Sequence, residues 1–263
     1  MPETKTILTS IEGPVATITL NRPAVHHAIN LEMIRELTEA LSRFDKEPDI
    51  SIILLRSTGE HFCAGADLNW MKEGMKQRES QLKKESMELA SLFSLMTRVS
   101  AIILTAVSGK VVGGANGLVA ASDLVIADES TRFAFSEVKL GLIPATIAPY
   151  VVRRLGKSKA AAWMLTGRWF SSEEAKCAGL VDFSCKKGKL EEECSKVLKD
   201  LRSGGPEALA GIKDMLHNFD FDMDADRIIE KSAGILARLR ISSEGQEGMK
   251  AFLEKRRPRW NEK

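Results

Sequence analysis

Three segments carry residue types whose spacing points to chemistry. His61-Phe62-Cys63-Ala64-Gly65-Ala66-Asp67-Leu68 and Val112-Gly113-Gly114-Ala115-Asn116-Gly117 are runs of small residues between an apolar strand and a helix. Small side chains let another molecule approach the backbone closely. Amides at a helix start are unpaired, point outward and have the positive end of the dipole behind them. Two such turns facing each other would offer two N–H groups to one oxygen, as an oxyanion hole does for a thioester carbonyl becoming an enolate. The third segment, Phe135–Pro144, sets Glu137 among apolar residues, where burial should raise its pKa toward the range of a general acid or base. Each has a plainer reading. Small residues at strand–helix turns often only permit close packing, and a Glu near a Lys is commonly a surface charge.

The elements that must position these segments follow from periodicity. Residues 6–20 read as two short strands joined at Gly13-Pro14, with Ala16, Ile18 and Leu20 alternating against Val15, Thr17 and Thr19. Asn30 can cap a helix with the stripe Leu31, Ile34, Leu37, Leu41 and Phe44. Ile50–Leu55 is a continuous apolar run, which suits a sheet covered on both faces. A loop at 57–67 and a long polar helix at 80–98 follow. Then come a buried strand at 101–107, a glycine-rich turn at 108–117, a helix at 118–122, and short strands at 124–127 and 132–135. Helices are expected near 149–155, 158–165 and 172–178. From residue 183 the chain reads as helical, with breaks at Gly204-Gly205-Pro206 and near Gly245. The reading is an α/β chain with a core at 1–200 and a helical region at 201–263.

Composition removes several classes. The 263 residues are 44% hydrophobic and 28% charged, which excludes disordered, collagen-like and disulfide-scaffold chains. Lys plus Arg is 38 against 36 Asp plus Glu, so net charge gives no argument for nucleic acid or membrane. Cys63, Cys177, Cys185 and Cys194 form no C-x-x-C pair and read as free thiols of a reducing compartment. No secretory signal and no spanning run is visible, so a cytoplasmic protein, or a mature organellar one, is expected. Gly156-Lys157-Ser158 fails as a P-loop because Val151 stands where its first glycine belongs. Gly113–Gly117 does not fit G-x-G-x-x-G, and there is no nucleophile elbow and no H-E-x-x-H. Adjacent His26 and His27 do not face one way, so no shared metal is expected. The basic tail Lys255–Arg259 reads as a solvated helix end rather than a nucleic-acid site.

Taken in order, these segments resemble the enoyl-CoA hydratase/isomerase, or crotonase, family. The resemblance rests on Asn21-Arg22-Pro23, Phe62–Leu68, Gly113-Gly114 with Asp123 following, Phe133–Pro144, Thr166-Gly167 before Ala175–Val181, and Gly248–Arg256. It spans essentially the whole chain. Within the family, Ser136–Ile147 with Pro149–Val152 is similar to the methylglutaconyl-CoA hydratase branch.

The resemblance implies a spiral of strand–strand–helix turns, a helical C-terminal region used in trimer or hexamer assembly, an acyl-CoA substrate, and no metal or separate cofactor. It assigns the Ala66 and Gly114 amides to the oxyanion hole and Glu137 to the second of two catalytic glutamates. The first would stand at position 117, which is glycine; Gly117 is expected to widen the pocket floor for a branched or carboxylated acyl group. The family's dehalogenases carry an Asp where this chain has Ala145, so that chemistry is disfavoured. Val25, Ala64, Gly65, Asp67, Leu68, Phe252 and Lys255 are the implied CoA-thioester contacts, with Asp67 also suited to capping a helix. The expected activity is hydration of a 2-enoyl-CoA. A Δ3–Δ2 enoyl-CoA isomerase using one Glu and a non-catalytic acyl-CoA- or RNA-binding member are the alternatives.

Overall fold

The computed structural model describes residues 6–261. Strands β1 (Ile7–Glu12) and β2 (Val15–Leu20) form an antiparallel hairpin about Gly13-Pro14. Helix α1 (Leu31–Phe44) starts where the Asn30 side chain accepts the Met33 N–H, and it leads into β3 (Ile52–Ser57). Helices α2 (Leu68–Gly74) and α3 (Glu79–Arg98) precede β4 (Ile102–Val107). A short strand β5 (Lys110–Val112), helix α4 (Ala115–Ala120) and strands β6 (Leu124–Asp128) and β7 (Arg132–Ala134) complete the middle of the chain. Helix α5 (Ala148–Thr166), strand β8 (Trp169–Ser171), helix α6 (Ser172–Ala178) and strand β9 (Phe183–Cys185) follow. Helices α7 (Leu190–Ser203), α8 (Pro206–Asn218), α9 (Ala225–Ile241) and α10 (Ser243–Leu253) come last.

The strands form two sheets. The larger runs β1-β2-β3-β4-β6-β9 and is parallel from β2 onward; the smaller runs β5-β7-β8. The apolar run in β3 is buried on both faces, as its composition requires. Ile53 and Leu55 enter the main core with Leu37 of α1 and Phe93 of α3, while Ile52 and Leu54 meet Cys194 and Val197 of α7 on the other side. β3 leads into the 61–68 turn before α2, β5 into the 112–117 turn before α4, and β7 into the segment that carries Glu137.

Several local expectations need correction. The glycine-rich turn at 108–117 contains β5, and its helix already begins at Ala115. The helices expected near 149–155 and 158–165 are both present as the two parts of α5, separated at Gly156, whose φ of 72° and ψ of 160° are not helical. The strands β8 and β9, three residues each, have no alternating pattern long enough to read. The last break is not at Gly245 but at Ser242, whose hydroxyl caps α10 by accepting the Gly245 N–H. Gly245 lies inside that first turn, where a Cβ would run into the Leu239 carbonyl. The helical end of the chain is tied to the rest by Lys213 of α8. Its buried ammonium donates to the carbonyls of Met96 (3.0 Å) and Ala101 (2.9 Å) and pairs with Asp123 at 2.7 Å. No helix among the described residues is long and apolar enough to cross a membrane.

Candidate functional site

The two small-residue turns lie side by side because short β-bridges zip them together. Cys63 N–H donates to the Lys110 carbonyl at 3.0 Å and Val112 N–H to the Cys63 carbonyl at 3.1 Å. A second bridge joins Ile29 and Ala66, with Ile29 N–H donating to Gly65 at 2.7 Å and Asp67 N–H to Ile29 at 2.8 Å. Gly65 is required where the turns touch: its φ is +94°, and a Cβ there would stand 2.9 Å from the Val112 carbonyl oxygen. After these bonds are made, the amides of Ala66 and Gly114 have no hydrogen-bond partner among the described residues. The Ile29 backbone is bridged to Ala66, and its Cδ1 lies 3.9 Å from where a Gly114 Cβ would stand.

Asn116 braces the second turn from within. Fully buried, it donates through Nδ2 to the carbonyls of Gly113 at 3.1 Å and Ala134 at 3.0 Å. One residue on, Gly117 does not open the pocket floor. A Cβ at 117 would lie 2.5 Å from both Phe93 Cζ and Ile147 Cγ2. The space in which a first glutamate would begin is therefore filled by two core side chains from α3 and the α5 approach, and the expected widening is overturned.

Glu137 opens a 3-10 turn, Glu137–Leu140, that ends on Gly141. Its carboxylate leans on the second turn: a Cβ on Gly113 would be 3.3 Å from Glu137 Oε1. Oε2 is buried and has no hydrogen-bond partner. Burial pushes the carboxyl pKa up, and a bond from its own backbone amide opposes this only in part. A carboxylate withdrawn from water with one oxygen left without a partner is a group able to exchange a proton with a ligand.

A cleft of about 510 Å³ runs from Ala66 along α2 and α3. Trp70, Met71, Met75 and Leu82 form one side, and Leu140 and Leu142, from the loop that carries Glu137, form the other. Glu85 of α3 is in its wall, only 5% exposed. The sequence reading missed Glu85. It sits in a charged stretch, and nothing local marks it as buried.

The structure sorts the remaining expected contacts. Val25 and Ala64 are neighbours, since Ala64 N–H donates to the His26 carbonyl at 2.9 Å. Among the described residues the Ala64 carbonyl has no partner, whereas Val25 already donates to Arg22 and accepts from Ala28. Asp67 is occupied by the fold. Its carboxylate caps α2 through the Asn69 amide at 2.8 Å and pairs with Arg22 at 2.8 Å, leaving it no free face for substrate. Burial raises its pKa, but the Arg22 pair and the cap outweigh that and hold it below the usual value. This pair also explains the Asn21-Arg22-Pro23 motif, because Arg22 further donates to the Ala28 carbonyl and stitches that loop to the first turn. Leu68 begins α2 and is exposed. Phe252, in the last turn of α10, and Lys255, just past its end, are exposed, and among the described residues neither is bonded to the two turns.

The profile of the enoyl-CoA hydratase/isomerase family matches residues 10–263. A solved enoyl-CoA hydratase from Shewanella pealeana superposes with a TM-score of 0.94 at 35% identity, covering 98% of this chain and 97% of that one. A mevalonyl-coenzyme A hydratase of Aspergillus fumigatus is 30% identical, over 98% of this chain and 96% of the relative. A trans-2-decenoyl-[acyl-carrier-protein] isomerase of Streptococcus mutans is 29% identical, over 98% and 99%. With a family profile that matches residues 10–263 and a fold that superposes on solved members, the chain is an enzyme that belongs to the enoyl-CoA hydratase/isomerase family.

Proposed function

We propose that this enzyme adds water across the 2,3-double bond of an enoyl-CoA thioester. The free amides of Ala66 and Gly114 take the thioester oxygen. Glu137 removes a proton from water as the oxygen bonds to C3, and the π electrons move through C2 to the thioester oxygen, giving an enolate. Glu137, now a carboxylic acid, returns its proton to C2. Each oxyanion donor of this kind contributes about 2.7–4 kcal/mol. The observation that carries the reading is the buried, unpartnered Glu137 Oε2 beside the Gly113-Gly114 turn. The free Ala64 carbonyl suits the nucleotide end of CoA, and Phe252 and Lys255 would reach that end from a second subunit of a trimer or hexamer.

One observation favours a second reading. With Phe93 and Ile147 in the place of a first glutamate, Glu137 is, among the described residues, the carboxylate at these turns that keeps a buried oxygen unpartnered. A single carboxylate suffices for isomerisation, taking a proton from C2 of a 3-enoyl-CoA and returning it to C4. The similarity to the Streptococcus isomerase points the same way. Incubation with matched 2-enoyl- and 3-enoyl-CoA thioesters, followed by absorbance and mass, separates the two. Hydration adds the mass of one water to the 2-enoyl compound. Conversion of the 3-enoyl compound without a mass change would overturn it in favour of isomerisation.

A further inference from the structure

We propose that Glu85 selects the acyl chain, turning away groups that carry a negative charge toward their far end and leaving the cleft to neutral, apolar chains. The inference rests on the reading of Ala66 as a thioester-binding turn. A chain attached to a carbonyl held there has the cleft beside Ala66 as its path, and apart from Glu85 and Ser86 the side chains along it are aromatic, thioether or aliphatic. No Lys, Arg or His is among the residues that line it, so a carboxylated chain would meet no cation. It would instead meet Glu85.

The charge on Glu85 is held in place. Oε2 accepts from Trp70 Nε1 at 2.6 Å, and Oε1 accepts from Gln77 Nε2 at 2.9 Å and Gln81 Nε2 at 3.1 Å. These donors are neutral, so they fix a full negative charge without cancelling it. Arg35, whose charge reaches Glu85, is itself bound to Glu88 through bonds of 2.8 and 3.1 Å. Burial alone would raise the Glu85 pKa, but the three donors reverse this and keep the carboxyl ionised at neutral pH. A fixed charge in a poorly solvated wall repels a like charge strongly, which is how a site rejects one ligand without gaining contacts to another. Of the acyl groups expected from the sequence, a branched neutral chain fits this wall and a carboxylated, methylglutaconyl-like one does not.

The test pairs 2-hexenoyl-CoA with the 2-enoyl-CoA of equal length ending in a carboxylate, on wild type and Glu85→Gln. The buried, unpartnered Gln77 Oε1 can accept from the new amide once the Gln77 side chain turns over, so the variant keeps a bonded cluster. Wild type should favour the methyl-ended thioester in kcat/KM by at least about a hundredfold, and Glu85→Gln should narrow that ratio to about tenfold or less. Equal use of both by wild type, or an unchanged ratio in the variant, would overturn the proposal; a clamp with no part in selection would lower both rates and leave the ratio. Calorimetric binding of hexanoyl-CoA and adipoyl-CoA to wild type reads the same preference without turnover. If neither enoyl thioester is hydrated but hexanoyl-CoA still binds at least about tenfold tighter, selection stands and the hydratase reading falls. Equal binding of the two would sink selection whatever the turnover.

Discussion

Glu137 and Glu85 are both carboxylates drawn out of water near the Ala66 and Gly114 turns, and their surroundings shift their proton affinities in opposite directions. Glu137 has one oxygen buried with nothing to bond, and its pKa is raised by that burial. Glu85 is buried too, but three side-chain donors saturate it and bring its pKa below the usual value. The difference teaches that burial alone does not make a catalytic acid or base. A proton can be exchanged only where the fold withholds partners, and a fixed charge is kept only where it supplies them.

The largest effect that would break this contrast is loss of turnover at Glu137. Glu137→Gln preserves shape and cannot exchange the proton, so kcat should fall by about 10²–10⁴ while acyl-CoA affinity stays within a few-fold. Turnover close to wild type in the purified variant would remove Glu137 from the chemistry.

Gly117 explains why no second carboxylate joins Glu137. Helix propensity alone has Gly117→Ala stabilising α4 by up to about 1 kcal/mol. Contact with Phe93 and Ile147 at 2.5 Å gives the opposite sign, a loss of about 1–3 kcal/mol through overpacking. Urea unfolding of the two proteins decides between them. A more stable Gly117→Ala would mean that the site can yield to a larger residue.

How much of this could be read from the sequence depended on distance along the chain. The turns at 61–68 and 112–117 and the Glu137 segment were visible because each is a contiguous run of distinctive composition. The plug at Gly117 was not, because Phe93 and Ile147 lie 24 and 30 residues away and enter through the packing of α3 and α5. Glu85 was hidden for a similar reason. Among Glu79, Lys83, Lys84 and Glu88 it looks like one more solvated charge, and only the approach of Trp70 and Gln77 makes it a buried one. Removing a donor sharpens the point. Trp70→Phe keeps an aromatic side chain but deletes the N–H together with the five-membered part of the indole, and leaving a buried charge short of a partner should cost about 1–3 kcal/mol beside the lost packing. Thermal unfolding at pH 7 should show the loss as a lowered Tm; an unchanged Tm would mean the bond contributes nothing to the cluster.

The smallest effect is the most diagnostic, because the two carboxylates should respond to pH with opposite sign. Glu137 has a folded-state pKa above its unfolded value, so the folded form holds its proton more tightly. Its contribution to stability is present below the unfolded pKa and is lost as pH rises through the folded one. Glu137→Gln lacks that loss, so its Tm should climb relative to wild type, by about a few degrees, as the pH rises above the ordinary carboxyl range. Glu85 has a folded-state pKa below its unfolded value, so its contribution is present above the unfolded pKa and is lost as pH falls through the folded one. Glu85→Gln should therefore show its largest Tm deficit near neutral pH, shrinking as the pH drops below about 4.5. The comparison is between differences, each variant against wild type in the same buffer, so groups common to all three proteins cancel. Parallel curves for the two variants would mean that the free oxygen of Glu137 and the three-donor cluster of Glu85 do not set their proton affinities apart, and the contrast between a proton carrier and a fixed charge would fail.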